Sequence, residues 1–109
     1  MKKRNKYGAI KTAYYGITFD SKGEAERYLK LREMQNEKKI INLKMQQKFP
    51  LEVNGKKVCD YIADFTYTEH GEFIVEDFKG VLTDLFRLKA KLFEAIYGFK
   101  IRISNNKSK

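Results

Sequence analysis

Along this chain the spacing of apolar positions switches between a period near 3.6 and a period of 2, and the switches mark its elements. Ala25, Tyr28, Leu29, Leu31 and Met34 recur at helical spacing opposite Glu26, Arg27, Lys30, Arg32 and Glu33. That pattern predicts a helix from Ser21, its N-cap, to about Glu37, with Glu24 completing a capping box. Alternation then takes over from Ile40 to Leu51, a strand that Pro50 either closes or marks as an edge. Asn54-Gly55 predicts a tight hairpin between Leu51-Glu52-Val53 and Lys57-Val58-Cys59. From Asp60 to Thr68, Tyr61, Ala63, Phe65 and Tyr67 share one face, and Ile62, Asp64, Thr66 and Thr68 the other. Glu69-His70-Gly71 turns the chain. Glu72 to Lys79 returns as a strand with Phe73, Val75, Asp77 and Lys79 on one face.

Thr83 or Asp84 caps a second helix to about Tyr97, with Leu85, Leu88, Leu92, Phe93 and Ile96 as its apolar stripe and Gly98 just past its end. Phe99 to Ile103 alternates as a final strand. Ahead of the first helix, Ile10 to Phe19 alternates weakly, which predicts a short strand or hairpin around Tyr15-Gly16. Helix, three strands, helix, strand is the order of an α/β fold, a mixed central sheet flanked by helices. At 109 residues, 42% apolar with seven Tyr and eight Phe, the chain suits one domain, residues 1–109. A basic arm at about 1–8 and a polar tail at about 104–109 flank it.

Charge adds a partner class. The formal net charge of +9 favours a polyanion, nucleic acid before membrane. A well-solvated basic surface is the plainer alternative. Cys59 is the single cysteine, so there is no internal disulfide and no zinc-finger spacing, which fits a reducing compartment. No apolar run reaches membrane-spanning length and no signal core opens the chain, so a soluble, cytoplasmic protein is expected.

The chemistry gathers at Ile74-Val75-Glu76-Asp77-Phe78-Lys79-Gly80. Acids and lysine are rarely buried unless paired or metal-bound, so a strand that carries them points to function. Asp64 lies on the neighbouring strand, within a register that can set it beside Asp77. Two carboxylates at close range repel, and a divalent cation relieves them. Oxygen ligands on a partly open site suit Mg²⁺, with Mn²⁺ an alternative. Lys79 shares the face of Asp77 and can orient or help deprotonate an attacking water, or stabilise charge on a scissile phosphate. Glu76 faces away, as a surface or salt-bridged residue.

Ala63-Asp64 followed by Glu76-Asp77-Phe78-Lys79 resembles the bipartite signature of the PD-(D/E)XK nucleases, whose restriction-endonuclease-like core has the order αβββαβ. Further phrases resemble a family of small phage-encoded proteins of that superfamily: Asn5 to Gly8, Gly16 to Lys22, Glu24-Ala25-Glu26, Tyr61 to Phe65, Val75 to Gly80 and Lys89 to Phe93. The resemblance implies a metal held by Asp64 and Asp77, with the Phe78 carbonyl contributing and Lys79 as the catalytic lysine. It also implies a glutamate from the first helix, Glu24 or its rival Glu26, and a strand glutamine, Gln46, that positions the scissile phosphate. Ala63 stands where the motif has proline, and Gln47 where relatives tend to have proline.

The expected function is a Mg²⁺-dependent DNA endonuclease of phage or prophage origin, leaving 5′-phosphate and 3′-hydroxyl ends, with branched DNA as the substrate by analogy with resolvases. Arg87, Lys89 and Lys91 would track phosphates, although such a set is most often a solvated helix face. Such nucleases often act as dimers, so a homodimer belongs to the expectation. The alternative is a non-catalytic nucleic-acid-binding module whose acids are structural.

Overall fold

In the computed structural model, the described residues are 12–14, for which only the backbone is considered, and 17–105. The basic arm, residues 15–16 where a hairpin turn is expected, and residues 106–109 lie outside them. In chain order the elements are β1 (Thr12–Tyr14), β2 (Ile17–Phe19), α1 (Lys22–Asn36), β3 (Ile41–Val53), β4 (Lys56–Glu69), β5 (Glu72–Phe78), α2 (Asp84–Tyr97) and β6 (Arg102–Ser104). β1 and β2 form the expected hairpin. The main sheet has the order β3-β4-β5-β6, antiparallel except where α2 carries the chain over to the parallel β6. The architecture is therefore α/β, with a four-stranded mixed sheet and two helices.

The strands are longer than the alternation predicts. In place of a short hairpin followed by a separate strand, β3 and β4 run unbroken for 13 and 14 residues. Asn54 and Gly55, at φ 51° and 79°, make a two-residue turn with both residues left-handed, the geometry that matches strand twist. His70 and Gly71 repeat it between β4 and β5 at φ 51° and 79°. Pro50 does not end β3, because β3 is an edge strand and one missing N–H there breaks no ladder.

The apolar residues form two cores. Phe49, Leu51, Tyr61, Ala63 and Val75 pack with Phe86 and Phe93 of α2 and with Ile101. Phe65 and Tyr67 pack with Phe19, Ile40 and the α1 residues Ala25, Tyr28 and Leu31. The alternating face of β4 thus serves α2 with Tyr61 and Ala63, then α1 with Phe65 and Tyr67. Asp64 sits at the changeover. Thr66, expected on the opposite face, is also buried.

Several expectations fail for reasons of packing. In the expected stripe of α2, Leu85 and Leu88 are each 64% exposed and Ile96 is exposed, whereas Phe93 is buried as expected and Phe86, from outside the stripe, is buried with it. The buried face of α2 is built on Phe86 and Phe93, rings that bury more area than leucine. The Phe93 ring stands edge-on to Phe49, Tyr61 and Phe99 at centroid distances of 5.4, 5.5 and 5.3 Å. Phe73, grouped by alternation with Val75 and Asp77, is exposed near the open end of its strand. Ser104 is not the start of a polar tail: it closes β6 and is buried.

Phe93→Ala should therefore cost about 3–5 kcal/mol in denaturant unfolding. Leu88→Ala, in the stripe that helical periodicity would bury, should change stability by no more than about 0.5 kcal/mol.

Candidate active site

β4 and β5 pair in register up to Phe65 opposite Glu76. Continued by one residue, that register sets Asp64 beside Asp77. The Phe78 N–H donates to Asp64 Oδ2 at 2.9 Å, and the Asp77 carboxyl lies close enough to Asp64 to push its pKa up. The Tyr61 hydroxyl donates to Asp77 Oδ2, and Lys79 Nζ stands 3.5 Å from Asp77 Oδ1. The same ammonium lies 4.4 Å from the centroid of the Phe86 ring, so α2 helps to hold it. Asp77 is only 2% exposed, while the Lys79 side chain keeps 29% of its surface in solvent and remains reachable.

Glu24 arrives from the first turn of α1. Ser21 Oγ caps that helix by accepting the Glu24 N–H at 3.1 Å, so half of the capping box is present. The Glu24 carboxyl has Asp64 and Asp77 as neighbouring acids. Glu24 is buried and Glu26 exposed, which settles which glutamate joins the aspartates.

Burial, the bond to Asp77, and the Asp77 and Glu24 charges push the Asp64 carboxyl up to about 9, with only the Phe78 N–H opposing them. Burial, Asp20 and Asp77 push Glu24 up to about 7, against the bond to Asp64 and the charge of Lys79. Among the described residues no three His, Cys, Asp or Glu side chains are already gathered as a ligand cage. The acids interact in pairs, Glu24 with Asp64 and Asp64 with Asp77. Hard oxygen donors with a shortage of positive charge fit Mg²⁺ or Mn²⁺.

Open space adjoins the acids on two sides. One recess of about 240 Å³ is lined by Asp20, Glu24, Met45 and Gln46. Gln46 is exposed there, with a left-handed φ of 57° that departs from regular strand geometry. The other, of about 280 Å³, is lined by Tyr61, Asp77, Lys79, Thr83 and Lys89. The expected row of basic residues on α2 divides: Lys89 reaches into this second recess and donates to the Asp60 carbonyl at 3.2 Å. Arg87 and Lys91 stay exposed, Arg87 lying 3.6 Å from Asp84.

Glu76 is not a surface residue. It is fully buried, and Arg27 grips it with Nε donating to Oε2 at 2.6 Å and Nη2 to Oε1 at 2.9 Å. Burial alone would raise its carboxyl, but Arg27, Tyr67 and Ser104 outweigh burial and hold it below the ordinary carboxylate range.

A sequence model of one known family matches residues 4–107, nearly the whole chain. The protein belongs to the DUF1064 family, described as being of unknown function. No curated protein and no solved structure matches it. The DUF1064 chain has no helix, among its described residues, long and apolar enough to cross a membrane.

Sequence reasoning missed Tyr61, Arg27 and Asp20 in this DUF1064 site. Arg27 was within reach, since it follows Glu24 by one helical turn and so faces the same way. Alternation gives Tyr61 only as one of four residues on a strand face, although a buried phenol needs a hydrogen-bond partner and Asp77 is that partner.

Asp64 and Glu24 bind protons more tightly folded than unfolded, so they stabilise the fold at low pH. That contribution is lost as pH rises from about 4 through the raised values of about 7 and 9. Asp64→Asn keeps an acceptor for the Phe78 N–H and offers a donor to Asp77. In EDTA it should raise stability by about 0.5–2 kcal/mol at pH 8 and flatten the decline with pH, both read from thermal unfolding.

Proposed function

We propose that this protein is a metal-dependent DNA endonuclease of the PD-(D/E)XK kind, with a restriction-endonuclease-like αβββαβ core. The observation that carries the reading is the Asp64–Asp77 pair, aligned by the β4–β5 register and the Phe78 N–H bond to Asp64, with Lys79 Nζ 3.5 Å from Asp77. The carboxyls come from adjacent strands and the lysine lies two residues past the second acid, as the signature requires. The element order α1, β3, β4, β5, α2, β6 and the parallel β5–β6 pair support the same core.

Asp64, Asp77, Glu24 and the Phe78 carbonyl would hold Mg²⁺ or Mn²⁺, which supplies Lewis-acid activation of a water and of the scissile phosphate. The chain's own residues do the rest. Tyr61 fixes Asp77 by occupying Oδ2, which leaves Oδ1 turned toward Lys79. The Phe78 N–H fixes Asp64 in the same way. Lys79, anchored over Phe86 yet open to solvent, is placed to orient a water or to take up charge on a phosphate oxygen. Lys89 and Gln46 line the two recesses and would contact phosphates on either side of the cut. The net charge of +9 supports DNA as the partner. Branched DNA as the preferred form and action as a homodimer in the host cytoplasm complete the proposal.

Supercoiled, linear and four-way-junction DNA with Mg²⁺ or Mn²⁺ provide the test. Wild type should cut at least one of them to 5′-phosphate ends. Asp77→Ala and Lys79→Ala should lower the rate at least about a hundredfold while salt-sensitive binding persists. A wild type that binds but cuts none of them returns the protein to the non-catalytic nucleic-acid-binding module.

A further inference from the structure

We propose that the buried Glu76 carboxylate is the positioning residue of the site, and that its bond to Arg27 sets where Glu24 stands against the paired aspartates. The proposal rests on the metal-site reading above.

The argument is one of connectivity. Glu76 is fully buried and bonded to three other elements of the fold. Arg27 of α1 holds it at 2.6 and 2.9 Å, the Tyr67 hydroxyl of β4 donates to Oε1, and Ser104 Oγ of β6 donates to Oε2 at 2.7 Å. Each contact lies close in sequence to a site residue. Arg27 is one helical turn past Glu24. Tyr67 is three residues past Asp64, and Glu76 directly precedes Asp77. The carbonyl of Ser104 accepts the backbone N–H of Lys79 at 2.9 Å. One carboxylate therefore ties α1, β4 and β6 to β5; those first two elements with β5 carry Glu24, Asp64 and Asp77, and Lys79 directly follows β5.

Stability does not explain this arrangement. A buried ion pair recovers its desolvation cost poorly, and apolar side chains of similar volume often serve a core as well or better. What the pair adds is direction. A two-point guanidinium–carboxylate contact fixes angle as well as distance, while apolar packing between α1 and β5 would let the helix slide or rotate. A shift of that kind moves Glu24 relative to Asp64 and Asp77. Groups that orient metal ligands commonly change metal affinity by about 10–100-fold when removed.

Mn²⁺ alone is the probe, titrated calorimetrically and followed by the thermal unfolding midpoint. The proteins are wild type, Glu76→Gln, Ser104→Ala and the double variant Arg27→Met with Glu76→Met. Glu76→Gln and the double variant should bind Mn²⁺ at least about tenfold more weakly, and Ser104→Ala by a smaller factor. The double variant should unfold in EDTA at or above the wild-type temperature, which separates positioning from stability. Unchanged Mn²⁺ affinity in either folded Glu76 variant overturns the proposal. Should Glu76→Gln not fold, the double variant and Ser104→Ala decide the matter on the same criterion. A wild type that binds no Mn²⁺ sinks the metal-site reading and the positioning role with it; tight wild-type binding left intact in the variants sinks the positioning role alone.

Discussion

Glu24, Asp64 and Asp77 stand close to one another, pair by pair, in the interior of a small protein. Like charges in a low dielectric repel, and each acid also loses its hydration. The fold is arranged around that constraint. Two of the acids rise to where protons remain bound near neutral pH. Tyr61, Lys79 and the Phe78 N–H contribute donors or positive charge from the surrounding elements. A chain selected for stability alone would fill this volume with apolar side chains. The carboxylates are a standing cost, and costs of this kind cluster where a ligand is handled.

The two cores can be understood from the same place. If β4 presented one continuous apolar face to one helix, no polar junction would exist within the sheet. Instead Tyr61 and Ala63 pack toward α2, Phe65 and Tyr67 pack toward α1, and Asp64 falls between them. Each helix also brings something to the acids. α1 delivers Glu24 and the Arg27 that grips Glu76, while α2 places Phe86 against the ammonium of Lys79. Recesses open on both sides, beside Glu24 and beside Lys79, so that an extended ligand could reach the acids from either one.

Membership in the DUF1064 family gives the chain a lineage without an activity. The functional reading therefore rests on the site's own chemistry: hard oxygen donors in need of positive charge, a reachable lysine, and a strongly basic chain around them. Glu76 illustrates how two neighbouring acids acquire different standing. Asp77 sits among acids with one lysine at 3.5 Å, whereas Glu76 is saturated by Arg27, Tyr67 and Ser104. Only the first has unspent capacity to bind something else.

By itself the sequence determined the order of elements, both tight turns, the Ser21 and Gly98 caps, and the face that Asp77 shares with Lys79. These follow from local rules: capping chemistry, left-handed turn residues and alternation along a strand, all of which act over a few residues. Tertiary structure decided the rest. It kept Phe93 of the expected stripe on the inner face of α2, where rings on β3 and β4 meet it, and put Phe86 there in place of Leu85 and Leu88. It turned Glu76 from a residue facing away into a buried link between α1 and the sheet, through an arginine 49 positions earlier in the chain. It also selected Glu24 over Glu26, since only the packing of α1 fixes which side of its first turn meets the aspartates. Each of these choices depends on contacts between residues distant in sequence, which local periodicity does not encode.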